Sequence, residues 1–147
     1  MNSHLNILSS ILGKKIYRIK ATIDCSADKL ITALENDTDI TKWNTTLTNH
    51  QLLKEFDNGV KISYQVTTEA GPGGVVSARD FILIHKKGRK DNEWMSGGCS
   101  VNYPGPENSK FVRAWNGPTG ELVRPADDPN KVSYLQNNIT ILLYDRH

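Results

Sequence analysis

Cysteine is scarce in this chain: Cys25 and Cys99 are the only two among 147 residues. Two thiols so far apart make no disulfide framework and match no metal-ligand spacing, so both are expected to be reduced. A dominant charge sign is also missing. The 18 basic and 16 acidic residues are interspersed and leave a net charge of +2, which excludes the concentrated basic field of a nucleic-acid binder. Stretches such as residues 81–84 fall far short of the ~20 consecutive apolar residues that span a bilayer as a helix. Aromatics make up 7% and hydrophobic residues 37%, enough for one modest core and a single domain over residues 1–147.

Catalytic machinery is equally thin. His4, His50, His85 and His147 are scattered, and Gly71-Pro72-Gly73-Gly74 lacks the lysine of a phosphate-binding loop, so it reads as a turn. No nucleophile with a base and no paired carboxylates stand out, so neither an enzyme nor a cofactor is expected. No secretory leader is recognisable at the start. The Asn-x-Thr triplets at Asn36, Asn44 and Asn138 therefore read as chance, and the chain as cytoplasmic.

What is present is mostly strand pattern. Residues 5–12 are apolar without clear period, either a helical turn or a frayed leader. From Ile16 the alternation places Tyr17, Ile19, Ala21 and Ile23 on one face of a half-buried strand. Ser26 stands where an N-cap would, Asp28 suits the first turn, and Leu30, Ile31 and Leu34 share a helical face, which predicts a helix of about ten residues. A short helix plus loop is expected over residues 37–47. Asp57-Asn58-Gly59 between residues 51–56 and 60–68 predicts a hairpin, since Asn and Gly tolerate positive φ. Further strands are expected at 80–86, 93–101, 110–116, 131–135 and 139–144, joined as an antiparallel meander.

Alternation sorts the candidate residues. Val60, Ile62, Tyr64 and Val66 share one face of the hairpin, leaving Lys61, Ser63, Gln65 and Thr67 on the other, which reads as a solvated face. Arg79, Phe81, Leu83 and His85 share one side of the next strand. His85 thus keeps apolar company, either as a satisfied structural histidine or as a pocket residue. Trp43, Trp94 and Trp115 lie on different elements and read as core.

Several segments resemble a known family. They are Ile62-Ser63-Tyr64-Gln65-Val66-Thr67-Thr68-Glu69-Ala70 and, after the glycine turn, Val75-Val76-Ser77-Ala78-Arg79-Asp80-Phe81-Ile82. Gly13-Lys14-Lys15-Ile16-Tyr17-Arg18, Lys42-Trp43-Asn44, Ser96-Gly97-Gly98-Cys99-Ser100 and Val112-Arg113-Ala114-Trp115-Asn116-Gly117-Pro118 support them. Taken in unbroken chain order, over about residues 13–135, the chain resembles the StAR-related lipid-transfer (START) domain, in its cholesterol-binding branch. The resemblance implies an α+β helix-grip fold, a curved antiparallel sheet with short helices around a lipid cavity. It implies binding and intermembrane transfer of a sterol, most readily cholesterol, with no chemistry on the ligand. Burial of rings and tail would supply affinity, and a few polar anchors would satisfy the hydroxyl.

Carried over position by position, Asn44 lines the cavity, and Ile40 stands where the family has methionine. The family's buried acid and arginine fall at Gln65 and His85, a neutral pair that avoids the cost of desolvating two charges. Arg79, Phe81 and Leu83 join them as expected lipid-binding residues. The implied partners are a sterol or other lipid and a transient membrane surface, mitochondrial or late-endosomal, with no nucleic acid. Residues 136–147 do not match the family's long C-terminal helix. Without that helix the sheet is expected to bare an apolar face that a partner would cover. The alternative reading is a truncated, non-transporting fragment that serves as an interaction module or is a non-functional splice form.

Overall fold

The computed structural model describes residues 2–11, 14–69, 76–107 and 110–141, with side chains between residues 17 and 137 of those spans. Strands β1 (Asn2–Ile11) and β2 (Lys14–Ile23) lead into helix α1 (Ala27–Glu35), a 3-10 turn (Asp37–Asp39) and helix α2 (Ile40–Trp43). Then come β3 (Leu47–Glu55), β4 (Val60–Thr67), β5 (Arg79–Lys90), β6 (Glu93–Ser100), β7 (Val112–Arg113), β8 (Trp115–Pro125) and β9 (Val132–Ile141). The strands form one curved sheet in the order β1-β2-β9-β8-β6-β5-β4-β3. Every neighbouring pair on that path is antiparallel, while the two-residue β7 pairs parallel with β5.

Helix α1 forms as its sequence dictates. The Ser26 hydroxyl accepts from the Lys29 N–H, and Asp28 lies in the first turn. Its inward residue Ile31 joins Trp94, Val123 and Val132 in a core between the helix and the concave face of the sheet. A second core lies on the convex face. There Ile62, Tyr64, Val66 and Ile82 pack with Leu53, Ile84, Val101, Tyr103 and Phe111, so the segment after β6 folds back over the sheet. Arg113 fastens that segment. Its Nε and Nη2 donate to the two Asp80 carboxylate oxygens at 3.0 Å, and Nη2 also donates to the Pro106 carbonyl at 2.8 Å.

Several expectations need correction. Residues 2–11 form a strand rather than a helical turn, because pairing with β2 satisfies a backbone that no helical period supports. The 110–116 strand is two pieces: β7 turns onto β5, and β8 runs on through Gly117-Pro118 by a register shift between Asn116 and Thr119. The two last strands are one, β9, and residues 142–147 lie outside the described residues, as does the glycine turn at 71–74. The Asp57-Asn58-Gly59 hairpin forms, yet among these three only Gly59 has positive φ, at 76°. Hydrogen bonds from Gly59 N–H to Phe56 and from Phe56 N–H to Val60 close it. Trp94 is core, but Trp43 and Trp115 are 46% and 37% exposed. The apolar row of β4, Ile62, Tyr64 and Val66, packs with Val101, Tyr103 and Phe111.

Candidate functional site

The strand register decides which side chains meet on the concave face. Gln65 pairs with Phe81, Ser63 with Leu83 and Lys61 with His85. His85 in turn pairs with Gly98, which pairs with Thr119, and Lys87 pairs with Ser96, which pairs with Glu121 and then Gln136. The polar row of β4 therefore faces inward, opposite to the solvated face expected from alternation. Both faces of this part of the sheet are covered, and the apolar row serves the convex core.

Between this wall and the segment from α1 to β3 lies a cavity of about 340 Å³. Leu34, Ile40, Trp43, Leu47, Phe81, Leu83 and Ile84 give it apolar walls. His50, Gln65, His85, Asn116, Glu121 and Gln136 are among the polar groups that line it. Of the residues singled out from the sequence, Ile40, Asn44, Gln65, Phe81, Leu83 and His85 line this one space. Arg79 does not. It stands at the start of β5, where its backbone N–H and carbonyl pair with the Thr67 hydroxyl. Asn44 has a local duty as well, because its side-chain oxygen accepts from the Thr46 N–H at 3.1 Å and the Thr46 hydroxyl at 2.6 Å. That turn starts β3 and leaves the Asn44 amide group as its remaining donor.

The cover over the cavity is held by charge. Asp37 accepts from Lys61 Nζ at 3.0 Å and from Lys87 Nζ, which also donates to the Leu34 carbonyl at 2.6 Å. Burial opposes the charge on Asp37, but the two ammonium groups outweigh it and hold the carboxyl below its ordinary value. The cluster is therefore a latch between the turn after α1 and the sheet.

His85 differs from that satisfied latch. Its Nε2 is buried without a hydrogen-bond partner among the described residues, and desolvation, with Lys87 and His50 adding to it, pushes its pKa down. His50, also lining the cavity, is lowered chiefly by desolvation. Both imidazoles are neutral at pH 7, so each carries one donor and one acceptor nitrogen. Gly98 permits the close approach at His85, since a Cβ there would meet Ile84 O at 2.7 Å and His85 Cβ at 2.9 Å.

A second polar cluster escaped the reading of the sequence. Glu121 accepts from the Ser96 hydroxyl at 2.8 Å and from the Tyr134 hydroxyl at 3.0 Å. Burial, then the Glu121 charge, pushes the Tyr134 pKa up, so the phenol keeps its proton. The strand expected at 110–116 stops before Gly117-Pro118, so it assigns no parity to Glu121 on β8. Among the described residues no three His, Cys, Asp or Glu side chains converge as metal ligands, and no helix is long and apolar enough to cross a membrane.

Comparison with known proteins sets this geometry in context. The START domain family model matches residues 5–139. The mitochondrial steroidogenic acute regulatory protein of Danio rerio is 32% identical over 123 residues, covering 82% of this chain and 43% of that protein. The steroidogenic acute regulatory protein of Xenopus laevis is 29% identical over 130 residues, covering 85% and 45%. The chain thus spans less than half the length of these relatives. Human StAR-related lipid transfer protein 5 superimposes with a TM-score of 0.78 at 18% identity, covering 97% of this chain and 75% of that one. The lipid transfer and protein localization domain of human StarD13 gives 0.79 at 14% identity, covering 100% and 73%. These two likenesses establish the helix-grip fold.

Proposed function

The chain belongs to the START domain family, and from that premise we propose that residues 1–147 act as one unit that binds a sterol and carries it between membranes. The observation that carries this reading is the cavity wall at β4 and β5. There the unpartnered His85 Nε2 stands on the face that also presents Gln65, Phe81 and Leu83. Such a wall suits a ligand that is mostly apolar with one hydroxyl. Burial of the apolar body removes surface from water at roughly 25 cal/mol per Å², and a hydroxyl on His85 Nε2 supplies a partner that this buried atom lacks among the described residues.

Size favours a sterol over a two-chain lipid. Small-molecule pockets run from about 300 to 1,000 Å³, and the cavity of about 340 Å³ lies at the low end of that range. The exposed Trp43 ring lines the cavity and faces solvent as well. An amphipathic indole in that position suits brief contact with a membrane interface as the ligand enters or leaves. Mitochondrial or late-endosomal membranes are the ones proposed, on the strength of the family relation.

The test is direct titration of the folded protein with a fluorescent sterol, followed by transfer between donor and acceptor vesicles. Saturable binding at one site per chain, weakened at least fivefold by Phe81→Ala or His85→Ala, is the expected result. Absence of saturable binding by protein with a cooperative melting transition would refute the proposal.

A further inference from the structure

On the concave face, Glu121 is a carboxylate without an ion-pair partner among the described residues. Elsewhere, ion pairs between described residues engage carboxylates such as Glu35, Asp37, Asp39, Glu55, Asp80, Glu93 and Asp128. Glu121 instead lines the cavity, with one oxygen bonded to Ser96 Oγ and the other to the Tyr134 hydroxyl. Both protein donors point at the carboxylate, so the hydroxyl protons of Ser96 and Tyr134 are spent there. An ionised carboxylate only accepts, and each oxygen keeps a further lone pair. Next to it in the register is Gln136, which lines the same wall and makes no side-chain hydrogen bond among the described residues.

Resting on the proposal that the cavity holds a sterol-like lipid, we infer that Glu121 and Gln136 form a second polar anchor, selective for a ligand with a hydroxyl remote from the one at His85. The hydroxyl donates its proton to Glu121 and accepts from the Gln136 amide. A ketone at the same carbon satisfies Gln136 alone and turns a lone pair toward the carboxylate. The anchor lies at a useful distance. Glu121 is two strands from β5 and two residues along from the row of His85, which places the two groups roughly 10 Å apart. A rigid ring system can bridge that separation and use both anchors at once. Ser96 and Tyr134 act through Glu121: they hold its oxygens and orient them into the cavity.

The experiment uses the whole chain and three probes: a sterol with one hydroxyl, the same sterol with a second hydroxyl at its far end, and the analogue with a ketone at that carbon. The wild-type protein is expected to bind the diol about tenfold more tightly than the ketone, as suits a charge-assisted hydrogen bond. Glu121→Gln places an amide donor at the anchor and is expected to shrink that ratio at least fivefold. Equal affinity of the wild type for diol and ketone, with the mono-hydroxyl sterol bound, overturns this inference and leaves the proposed function standing. So does an unchanged ratio in Glu121→Gln with wild-type melting. Should that variant fail to fold, the wild-type ratio alone decides. Binding of none of the three sterols overturns the proposed function and this inference with it.

Discussion

Replacing Arg113 by methionine isolates the fastening of the convex face. The substitution keeps most of the side-chain stem near the Tyr64 ring, which lies 5.9 Å from the guanidinium carbon, and removes the charge. Asp80 is then left in the sheet at 2% side-chain exposure without its two 3.0 Å donors. The Pro106 carbonyl loses its 2.8 Å donor as well. Breaking a buried pair by deleting one partner costs about 3–5 kcal/mol. Arg113 itself is 42% exposed, so water already screens one side of the pair, and a loss of about 2–4 kcal/mol is expected. For a chain of this length, with an unfolding entropy near 2.1 cal/mol/K per residue, that is a fall of roughly 6–13 °C in Tm.

The assay is thermal unfolding by circular dichroism of the wild type, Arg113→Met, Asp80→Asn and the double variant. Asp80→Asn removes the charge that Arg113 leaves behind, so the double variant should be no less stable than Arg113→Met. The coupling between the two positions should exceed about 1 kcal/mol. A fall of less than about 2 °C in Arg113→Met, or additive losses in the double variant, would refute the reasoning. Either result would mean that Val101, Tyr103 and Phe111 hold the convex face without the ion pair.

The remaining predictions concern the cavity. Burial holds the His85 imidazole below its ordinary value, so the ligand meets a neutral ring at pH 7. Sterol affinity should fall as the pH drops from 7.5 to 5.5, and His85→Phe should flatten whatever part of that slope His50 does not supply. The same sign governs stability, because the unfolded chain takes up a proton near the ordinary histidine value before the folded chain does, so stability declines below it. Lys87→Met removes one donor from Asp37 and the donor to Leu34 O, a loss of about 1–2 kcal/mol in urea unfolding together with faster sterol release. Because the Asp37 carboxyl is held below its ordinary value, its contribution is complete above pH 3.8 and vanishes as the pH falls through the folded value. The difference between Lys87→Met and wild type should therefore narrow in strong acid. Gly98→Ala drives a methyl into Ile84 O and His85 Cβ, and should weaken sterol binding more than it lowers Tm.

Local chemistry was the legible part of this fold. Ser26 and the spacing of Leu30, Ile31 and Leu34 announced α1, and Asp57-Asn58-Gly59 announced the hairpin, because a cap and a tight turn depend on a few adjacent residues. Alternation along β4 was legible too, but its orientation was not. A period of two says that Ile62, Tyr64 and Val66 share a face, and it does not say which face is the interior. In a sheet covered on one side only, the apolar row would face the core. Here Val101, Tyr103 and Phe111 pack on the convex side, so the apolar row is buried there, and Gln65 turns toward the cavity. Where both faces of a sheet are covered, a period of two alone cannot tell which row faces the cavity. The family resemblance placed Gln65 and His85 on the cavity wall, where strand parity alone had sent Gln65 to solvent. Glu121 had no such help. Its strand begins in a Gly-Pro segment that continues only because the register shifts between Asn116 and Thr119, a tertiary accommodation that no local pattern encodes.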